Sequence, residues 1–145
     1  MTLADLDEVM AIERASFVYP WSARFFHQEF EVECARSSLV EMDGRIVGYV
    51  LFWLLPETVD IHNLAVSREY RRRGLGRILL DKVITEALTH SRSRVTLEVR
   101  KSNLAAQKLY ESAGFVATGV RKGYYSDDGE DALTMALDLL PSASS

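Results

Sequence analysis

The spacing of hydrophobic residues changes along this chain from a helical period to a strand-like one. Near the start, apolar positions recur at intervals of about three to four residues, the period of one helix face, and these positions are Leu3, Leu6, Met10 and Phe17. Ser22 then stands where it can cap a second helix. The chain is therefore predicted to begin with two helices, and Phe26 and Phe30 of the second are expected to face inward.

Strand-like segments follow these helices. Residues 38–42 and Arg45–Leu54 flank Asp43-Gly44, a dipeptide that favours a two-residue hairpin turn because both of its positions tolerate positive φ. Thr58–Val66 is predicted as the next strand. The apolar run at residues 49–55 is far shorter than the about 20 residues that span a bilayer, so we interpret it as a central strand.

The second half of the chain alternates helices and strands. A long helix is predicted after Gly74, a strand at residues 95–100, and a helix between Asn103 and Gly114, which suit its N-terminal cap and its left-handed C-terminal position. Two strands are expected near Val116 and Leu133. Their hairpin is expected to turn at Asp127-Asp128-Gly129. This order predicts an α/β sandwich around a mostly antiparallel sheet, with one domain over residues 1–140 and a loose tail at 141–145.

Arginines and glycines gather at the predicted start of the long helix, at residues 71–77. The N–H groups of a helix's first turn have no intrahelical partner and lie at the positive end of the helix macrodipole, so they attract anions. Gly74 and Gly76 let a diphosphate approach the backbone closely, and the arginines add positive charge. The segment is therefore a candidate phosphate site.

Two familiar phosphate motifs do not fit this segment. A P-loop needs lysine and then serine or threonine after its second glycine, whereas Arg77 follows Gly76. A dinucleotide-binding fingerprint needs glycine or alanine where Leu79 stands. Taken alone, the segment also fits an ordinary solvated basic loop.

A second polar pair lies downstream. Glu98 falls near the end of a predicted strand, and Tyr110 lies about two helical turns beyond Asn103. A carboxylate and a phenol are an acid and base pair suited to moving protons in amine chemistry. On the residues alone, Glu98 also fits a solvent-facing strand position and Tyr110 a core aromatic.

The combined pattern resembles the GCN5-related N-acetyltransferases (GNAT), which transfer acetyl from acetyl-CoA to amines. The matching blocks are Leu64-Ala65-Val66, then Arg71-x-x-Gly74-x-Gly76, and then Asn103-x-x-Ala106-x-x-Leu109-Tyr110-x-x-x-Gly114-Phe115. Within that family the chain is most similar to the bacterial ribosomal-protein-alanine branch (RimI type), on the segments Tyr19-Pro20-Trp21-Ser22 and Arg121-x-x-Tyr124-Tyr125 among others.

The resemblance implies a GNAT fold: a mostly antiparallel, mixed sheet of six to seven strands, flanked by about four helices, with splayed central strands. It implies that Glu98 is the general base and Tyr110 the general acid. It further implies a set of acetyl-CoA-binding residues, namely Leu64, Ala65, Val66, Arg71, Arg72, Arg73, Gly74, Leu75, Gly76, Arg77 and Asn103.

The implied acceptor is the N-terminal amine of a protein, such as the N-terminal alanine of a small-subunit ribosomal protein. Two alternatives keep the family but change the role. One is an acetyltransferase for a small-molecule amine or a lysine side chain, and the other is a non-catalytic module that binds coenzyme A. The acceptor class is left open by the sequence.

Composition narrows the remaining function classes. The 145-residue chain has a formal net charge of −4, which argues against a nucleic-acid binder. Acidic residues lie in two segments, 29–33 and 127–131, where they are suited to steer a cationic acceptor. No metal is expected, because His27 and His62 lack ligands at metal spacing. A single cysteine, Cys34, and a start unlike a signal peptide predict a cytoplasmic protein without a membrane span, and we expect a monomer.

Overall fold

The computed structural model describes residues 1–139, and the predicted tail at 141–145 lies outside that range. The α-helices are α1 (Leu6–Ser16), α2 (Ala23–Glu29), α3 (Leu75–Thr89) and α4 (Leu104–Ser112). The strands are β1 (Ala35–Met42), β2 (Arg45–Leu54), β3 (Thr58–Val66), β4 (Arg94–Arg100), β5 (Val116–Arg121) and β6 (Ala132–Asp138). Short 3-10 turns occupy Leu3–Asp5 and Arg68–Tyr70.

The strands form one sheet in the order β1-β2-β3-β4-β6-β5. Neighbouring strands run antiparallel except β3 and β4, which are parallel. The predicted hairpin at Asp43-Gly44 is confirmed, since Met42 pairs with Arg45 and the two turn residues have φ of 54° and 75°. The predicted mixed, mostly antiparallel sheet with four flanking helices is therefore confirmed.

The sheet separates two hydrophobic cores, and β2 contributes to both. Alternate β2 side chains, Tyr49 and Leu51, pack with α1 and α2, while Val50 and Phe52 pack with α3 on the opposite face. A strand covered on both faces needs apolar residues at every position, which explains its unbroken hydrophobic run. Within residues 1–139, none of the helices has the length and apolarity that crossing a bilayer requires.

Several predicted boundaries and contacts differ from the structure. β1 begins at Ala35, earlier than residue 38, and Leu3 lies in the 3-10 turn with 58% of its surface exposed. The prediction that Phe30 faces inward is wrong, because α2 ends at Glu29 and Phe30 is 38% exposed. Phe26 is buried against Tyr49, whereas Phe30 lies at an open pocket that Met1 and Leu51 also line. The Ser22 cap is confirmed, since its side chain accepts a hydrogen bond from the Phe25 N–H.

The two parallel strands separate part-way along their length. Pairing between β3 and β4 begins at Thr58 with Arg94 and ends at Ile61 with Leu97. Just beyond, β3 bulges at His62, because Ile61 pairs with Phe52 but Asn63 already pairs with Leu51. Meanwhile β4 stays paired with β6 to its last residue. A cleft therefore opens between the ends of β3 and β4.

Candidate active site

The cleft between the splayed strands has a volume of about 240 Å³ and is lined by several separate parts of the chain. Among the predicted site residues, it brings together Leu64, Glu98, Asn103 and Tyr110. Further lining comes from α1, from the segment between α1 and α2, and from the segment between β5 and β6. The other predicted site residues are outside this lining, at the end of β3 and in the segment that leads into the first turn of α3.

Glu98 is the first β4 residue beyond the last pair with β3. The neighbouring Leu97 and Val99 point into the core that contains α3, so strand alternation directs Glu98 to the opposite face. Its side chain is 31% exposed, and one carboxylate oxygen lies 3.7 Å from Nε of Arg121. The carboxylate therefore lies where the two strands separate and remains accessible to water.

Tyr110 reaches the same cleft from α4. The helix begins at Asn103, whose side chain accepts a hydrogen bond from the Ala106 N–H at 3.1 Å, as predicted. It ends in a Schellman motif, because Phe115 N–H donates to the Tyr110 carbonyl and Gly114 takes the expected positive φ of 99°. Tyr110 is thereby buried against Phe115.

Burial raises the pKa of the Tyr110 hydroxyl, so the phenol keeps its proton through the neutral range. The Tyr110 ring belongs to the core on the α3 side of the sheet, whereas Glu98 projects from the other face. The two groups therefore flank the gap from opposite sides. A carboxylate and a protonated phenol are thus held apart, with the cleft between them.

The candidate phosphate site at residues 71–77 contains a left-handed turn just before α3. Gly74 forms the N-terminal cap with φ of 75°, and Arg72 also has positive φ. The first α-helical bond of α3 runs from Ile78 N–H to the Gly74 carbonyl, so the N–H groups of residues 75–77 precede the helical ladder. A Cβ at Gly76 would lie 3.2 Å from Leu109, so that glycine also lets α3 approach α4 closely.

The arginines of this loop divide into two pairs. Arg71 donates to the Val66 carbonyl at 3.1 Å and to Ser16 at 3.3 Å, and Arg77 binds Asp81 and the Ser112 carbonyl. By contrast, Arg72 and Arg73 are exposed, and the Arg73 guanidinium lies 5.1 Å from the centre of the Tyr70 ring. Arg71 and Arg77 thus help to hold the loop in place, whereas Arg72 and Arg73 extend from its surface.

Arg100 also lines the cleft, and no local pattern in the sequence marked it as a candidate. Its guanidinium contacts three carboxylates, with N–O distances of 2.6 Å to Asp127, 3.0 Å to Asp128 and 3.3 Å to Glu130. It also stacks on two aromatic rings, at 3.9 Å from the centre of the Tyr125 ring and 5.4 Å from that of Tyr19.

We call Arg100 and these five partners the Arg100 cluster. Hydrogen bonds from the Glu130 N–H and from Arg100 hold the pKa of Asp128 below its usual value, and bonds from Ser102 do the same for Glu130. Acidic residues that we expected to steer an acceptor therefore bind Arg100 as well. Because three carboxylates surround one guanidinium, the Arg100 cluster itself keeps an excess of negative charge.

A buried carboxylate, Glu13, also lines the cleft. It accepts hydrogen bonds from the Tyr49 hydroxyl, from the Asn63 side chain at 2.6 Å and from the Trp21 N–H at 2.8 Å. The sequence carries one signal for it. Glu13 lies between Met10 and Phe17 on the predicted apolar stripe of α1, where a charge requires partners.

His62 lies in the cleft lining, where its ring contacts the tilted ring of Trp53 at 4.5 Å between centroids and its Nδ1 is 3.8 Å from a Glu29 oxygen. The same carboxylate oxygen accepts a hydrogen bond from the Trp53 indole at 3.0 Å. Across residues 1–139, no three histidine, cysteine or acidic side chains are grouped as metal ligands.

The known proteins that this chain is similar to are acetyltransferases. The model of the acetyltransferase (GNAT) family matches residues 6–115. A Bacillus subtilis (strain 168) protein, provisionally named a ribosomal protein bS18-alanine N-acetyltransferase, is 40% identical over 93% of this chain and 90% of its own. The crystal structure of the Escherichia coli ribosomal-protein-S18-alanine N-acetyltransferase is similar at 34% identity, with a TM-score of 0.87 over 95% of this chain and 90% of that one.

A third similar protein is Ard1 from Thermoplasma volcanium, whose crystal structure has a TM-score of 0.89 and 25% identity over 97% of this chain and 95% of that one. The family model covers well over half of the chain, and relatives above 30% identity cover nearly all of it. The chain therefore belongs to the acetyltransferase (GNAT) family, as its motifs predicted.

Proposed function

We propose that the protein transfers an acetyl group from acetyl-CoA to the N-terminal amine of a protein, namely the N-terminal alanine of ribosomal protein bS18. The observation that carries this proposal is the position of Glu98 and Tyr110, which flank one cleft at the point where β3 and β4 separate. The acceptor is inferred from relatives in Bacillus and Escherichia that bear this activity in their names.

The chain offers acetyl-CoA a site built largely from backbone. Beyond Ile61, the β3 edge that faces β4 is available to the pantetheine arm along Leu64, Ala65 and Val66. The diphosphate is held by the first-turn N–H groups of α3 and by Arg72 and Arg73. A Cβ placed on Gly74 would meet nothing within 4 Å, so the loop surface has room for a ligand there. When bound, the cosubstrate supplies the acetyl thioester.

Glu98 accepts the proton that the acceptor must lose. An α-amine has a pKa of about 7.7 to 8.0, so most of it is protonated near neutral pH and cannot attack a thioester. A partly exposed carboxylate at the mouth of the cleft can take this proton directly or through water. Tyr110, neutral and buried on the other side, donates a proton to the departing sulfur. The reaction requires no covalent enzyme intermediate.

The surroundings of the cleft suit the end of a positively charged chain. Tyr19, Trp21 and Tyr125 line its outer part, and the Arg100 cluster places excess negative charge at the rim. Such charge attracts a protonated amine before it reaches Glu98. We further propose that the enzyme acts as a monomer with one catalytic domain over residues 1–140.

An acetylation screen tests the proposal directly. Purified protein is incubated with acetyl-CoA and short peptides that differ in their first residue, and products are located by mass spectrometry. We expect acetyl on the α-amine of the alanine peptide. Acetylation confined to lysine side chains or small amines would show that the acceptor is of another class. Saturable coenzyme A binding without any product would show that the protein is a non-catalytic binding module.

Variants test the two proposed roles. Glu98→Gln and Tyr110→Phe are each expected to lower kcat about 100-fold or more, because each removes one proton-transfer group. Glu111→Gln is the matched control, since Glu111 is an exposed glutamate of α4 outside the cleft lining. Calorimetry should find acetyl-CoA binding retained in both site variants. Unchanged turnover in both would overturn the role assignment.

A further inference from the structure

We infer that Glu13 is a positioning residue: it holds the backbone of Trp21 and thereby fixes the wall of the cleft against which the acceptor is proposed to bind. This inference rests on the proposed function, because it assigns the segment between α1 and α2 to acceptor binding. We call that segment, residues 17–22, the α1–α2 loop.

Glu13 ties three parts of the chain together from the middle of α1. One of its oxygens accepts from the Tyr49 hydroxyl of β2 and from the Asn63 amide of β3, and the other accepts from the Trp21 N–H of the α1–α2 loop. The residue is only 1% exposed. A carboxylate removed so fully from water is retained only when donors compensate for its lost hydration, and here they do.

The α1–α2 loop has few other anchors of this kind. Within it, Val18 is 87% exposed and Tyr19 48% exposed. The Trp21 ring rests on Phe25 and Phe26, with centroids 4.4 Å and 5.3 Å away. The hydrogen bond from Trp21 N–H to Glu13 therefore fixes the backbone at the point where Tyr19 and Trp21 enter the lining of the cleft.

Glu13 is placed to hold this wall rather than to carry protons. Both of its oxygens already accept hydrogen bonds, and its side chain is buried beneath the residues that an acceptor would touch. Glu98, in contrast, is partly exposed in the same cleft. The two carboxylates thus divide the tasks of positioning and of proton transfer.

The variant Glu13→Gln separates these tasks because a glutamine keeps only one accepting oxygen. With Tyr49 and Asn63 placed as they are, the orientation that keeps two of the three bonds turns that oxygen toward them, and the NH₂ group then faces the Trp21 N–H, donor against donor. The anchor of the α1–α2 loop is lost while the bonds to the sheet remain. We expect the KM for the acceptor peptide to rise about tenfold, as for the loss of one hydrogen bond to a charged group.

Tyr49→Phe is the matched control. It removes another donor from the same carboxylate but leaves the Trp21 bond in place, and Tyr49 does not line the cleft. We expect it to lower the melting temperature to a similar extent as Glu13→Gln, while the acceptor KM stays within about twofold of wild type. The KM for acetyl-CoA should stay within the same range in both variants.

A second readout does not depend on turnover. In a Trp53→Phe background, Trp21 is the remaining tryptophan, and its fluorescence should become more accessible to acrylamide quenching in Glu13→Gln but not in Tyr49→Phe. Equal acceptor KM values in the two variants, or unchanged quenching in Glu13→Gln, would overturn the inference. Absence of acetyl transfer by the wild type would instead overturn the proposed function, and quenching would still report on the loop.

Discussion

The two sides of the cleft differ in the groups that form them, backbone on one side and side chains on the other. On the donor side, which we define as residues 64–77, the proposed contacts come mainly from backbone N–H groups and from a turn that requires Gly74. On the acceptor side, which comprises the α1–α2 loop and the Arg100 cluster, position depends on side chains joined across long stretches of sequence. The donor side is therefore formed by residues close together in sequence, whereas the acceptor side is formed by residues that only tertiary folding brings together.

This difference predicts how each side responds to change. A backbone site should lose affinity by degrees when a flanking side chain or a turn glycine is changed, because most of its N–H groups stay in place. A site held by an interlocked cluster depends on the residue at its centre, because every other member orients around that residue. The variants below test this contrast, from the largest expected effect to the smallest.

Arg100→Ala should have the largest effect. Without the guanidinium, three neighbouring carboxylates repel one another and Tyr19 and Tyr125 lose the group on which both stack. We expect kcat/KM for the acceptor to fall about 100-fold, the usual consequence of a displaced binding surface. Steady-state kinetics with varied peptide measure it.

Arg94→Ala is the control for this prediction. Arg94 lies at the other end of β4 and forms a single ion pair with Asp138, so its loss should leave peptide kinetics within about twofold of wild type. If both variants lost activity equally, the acceptor side would depend on β4 as a whole and not on the Arg100 cluster.

Replacement of both Arg72 and Arg73 by alanine should act on the donor side alone. Their side chains are exposed, and they would contribute charge-assisted hydrogen bonds to a diphosphate. We expect the KM for acetyl-CoA to rise about tenfold, with the acceptor KM unchanged. High salt should weaken acetyl-CoA binding in the wild type more than in this variant. An equal response of both to salt would argue against diphosphate binding by these arginines.

Gly74→Ala should have a smaller, mixed effect. A side chain at φ of 75° costs about 1 kcal/mol, measured as the free energy of unfolding in urea. Strain at the start of α3 should also raise the KM for acetyl-CoA by about fivefold. Gly123→Ala is the matched control, because Gly123 has φ of 60° and equal open space but lies in the loop between β5 and β6. It should destabilise the protein without affecting acetyl-CoA.

The smallest effect concerns acid stability. In the folded protein the pKa values of Asp128 and Glu130 lie below their usual 3.8 and 4.5. Their ionised forms therefore stabilise the fold at a pH above the usual pKa values, and this stabilisation is lost as the pH falls through the lowered pKa values of the folded protein. Melting temperatures recorded from about pH 6 to about pH 3 should fall more steeply in the wild type than in Asp128→Asn combined with Glu130→Gln. Parallel curves would contradict the prediction.

Local signals account for what could be predicted about the fold. Asp43-Gly44, the Ser22 and Asn103 caps and Gly114 all act through backbone conformation within a few residues, and each has the predicted geometry. The error at Phe30 has the opposite origin. Whether an aromatic at the end of a short helix is buried depends on what the rest of the chain packs against it, and here Phe30 lies at a pocket that remains open.

The candidate site divides in the same way. The glycines and arginines of residues 71–77 could be identified from their spacing, because a helix N-terminus supplies its N–H groups from consecutive residues. The Arg100 cluster could not, since Arg100 and its acidic partners lie 27 to 30 residues apart. Nor could the contact between Glu13 and Asn63, which are separated by 50 residues.

By itself, the sequence determined the family, the order of the elements and the local turns, because these depend on short-range sterics and on hydrophobic period. The tertiary structure decided where β3 and β4 part, which face Glu98 occupies and what Glu13 and Arg100 hold together. The physical reason is that burial and ion pairing depend on distance in space, and only the folded chain brings remote carboxylates, guanidinium and aromatic rings within bonding distance.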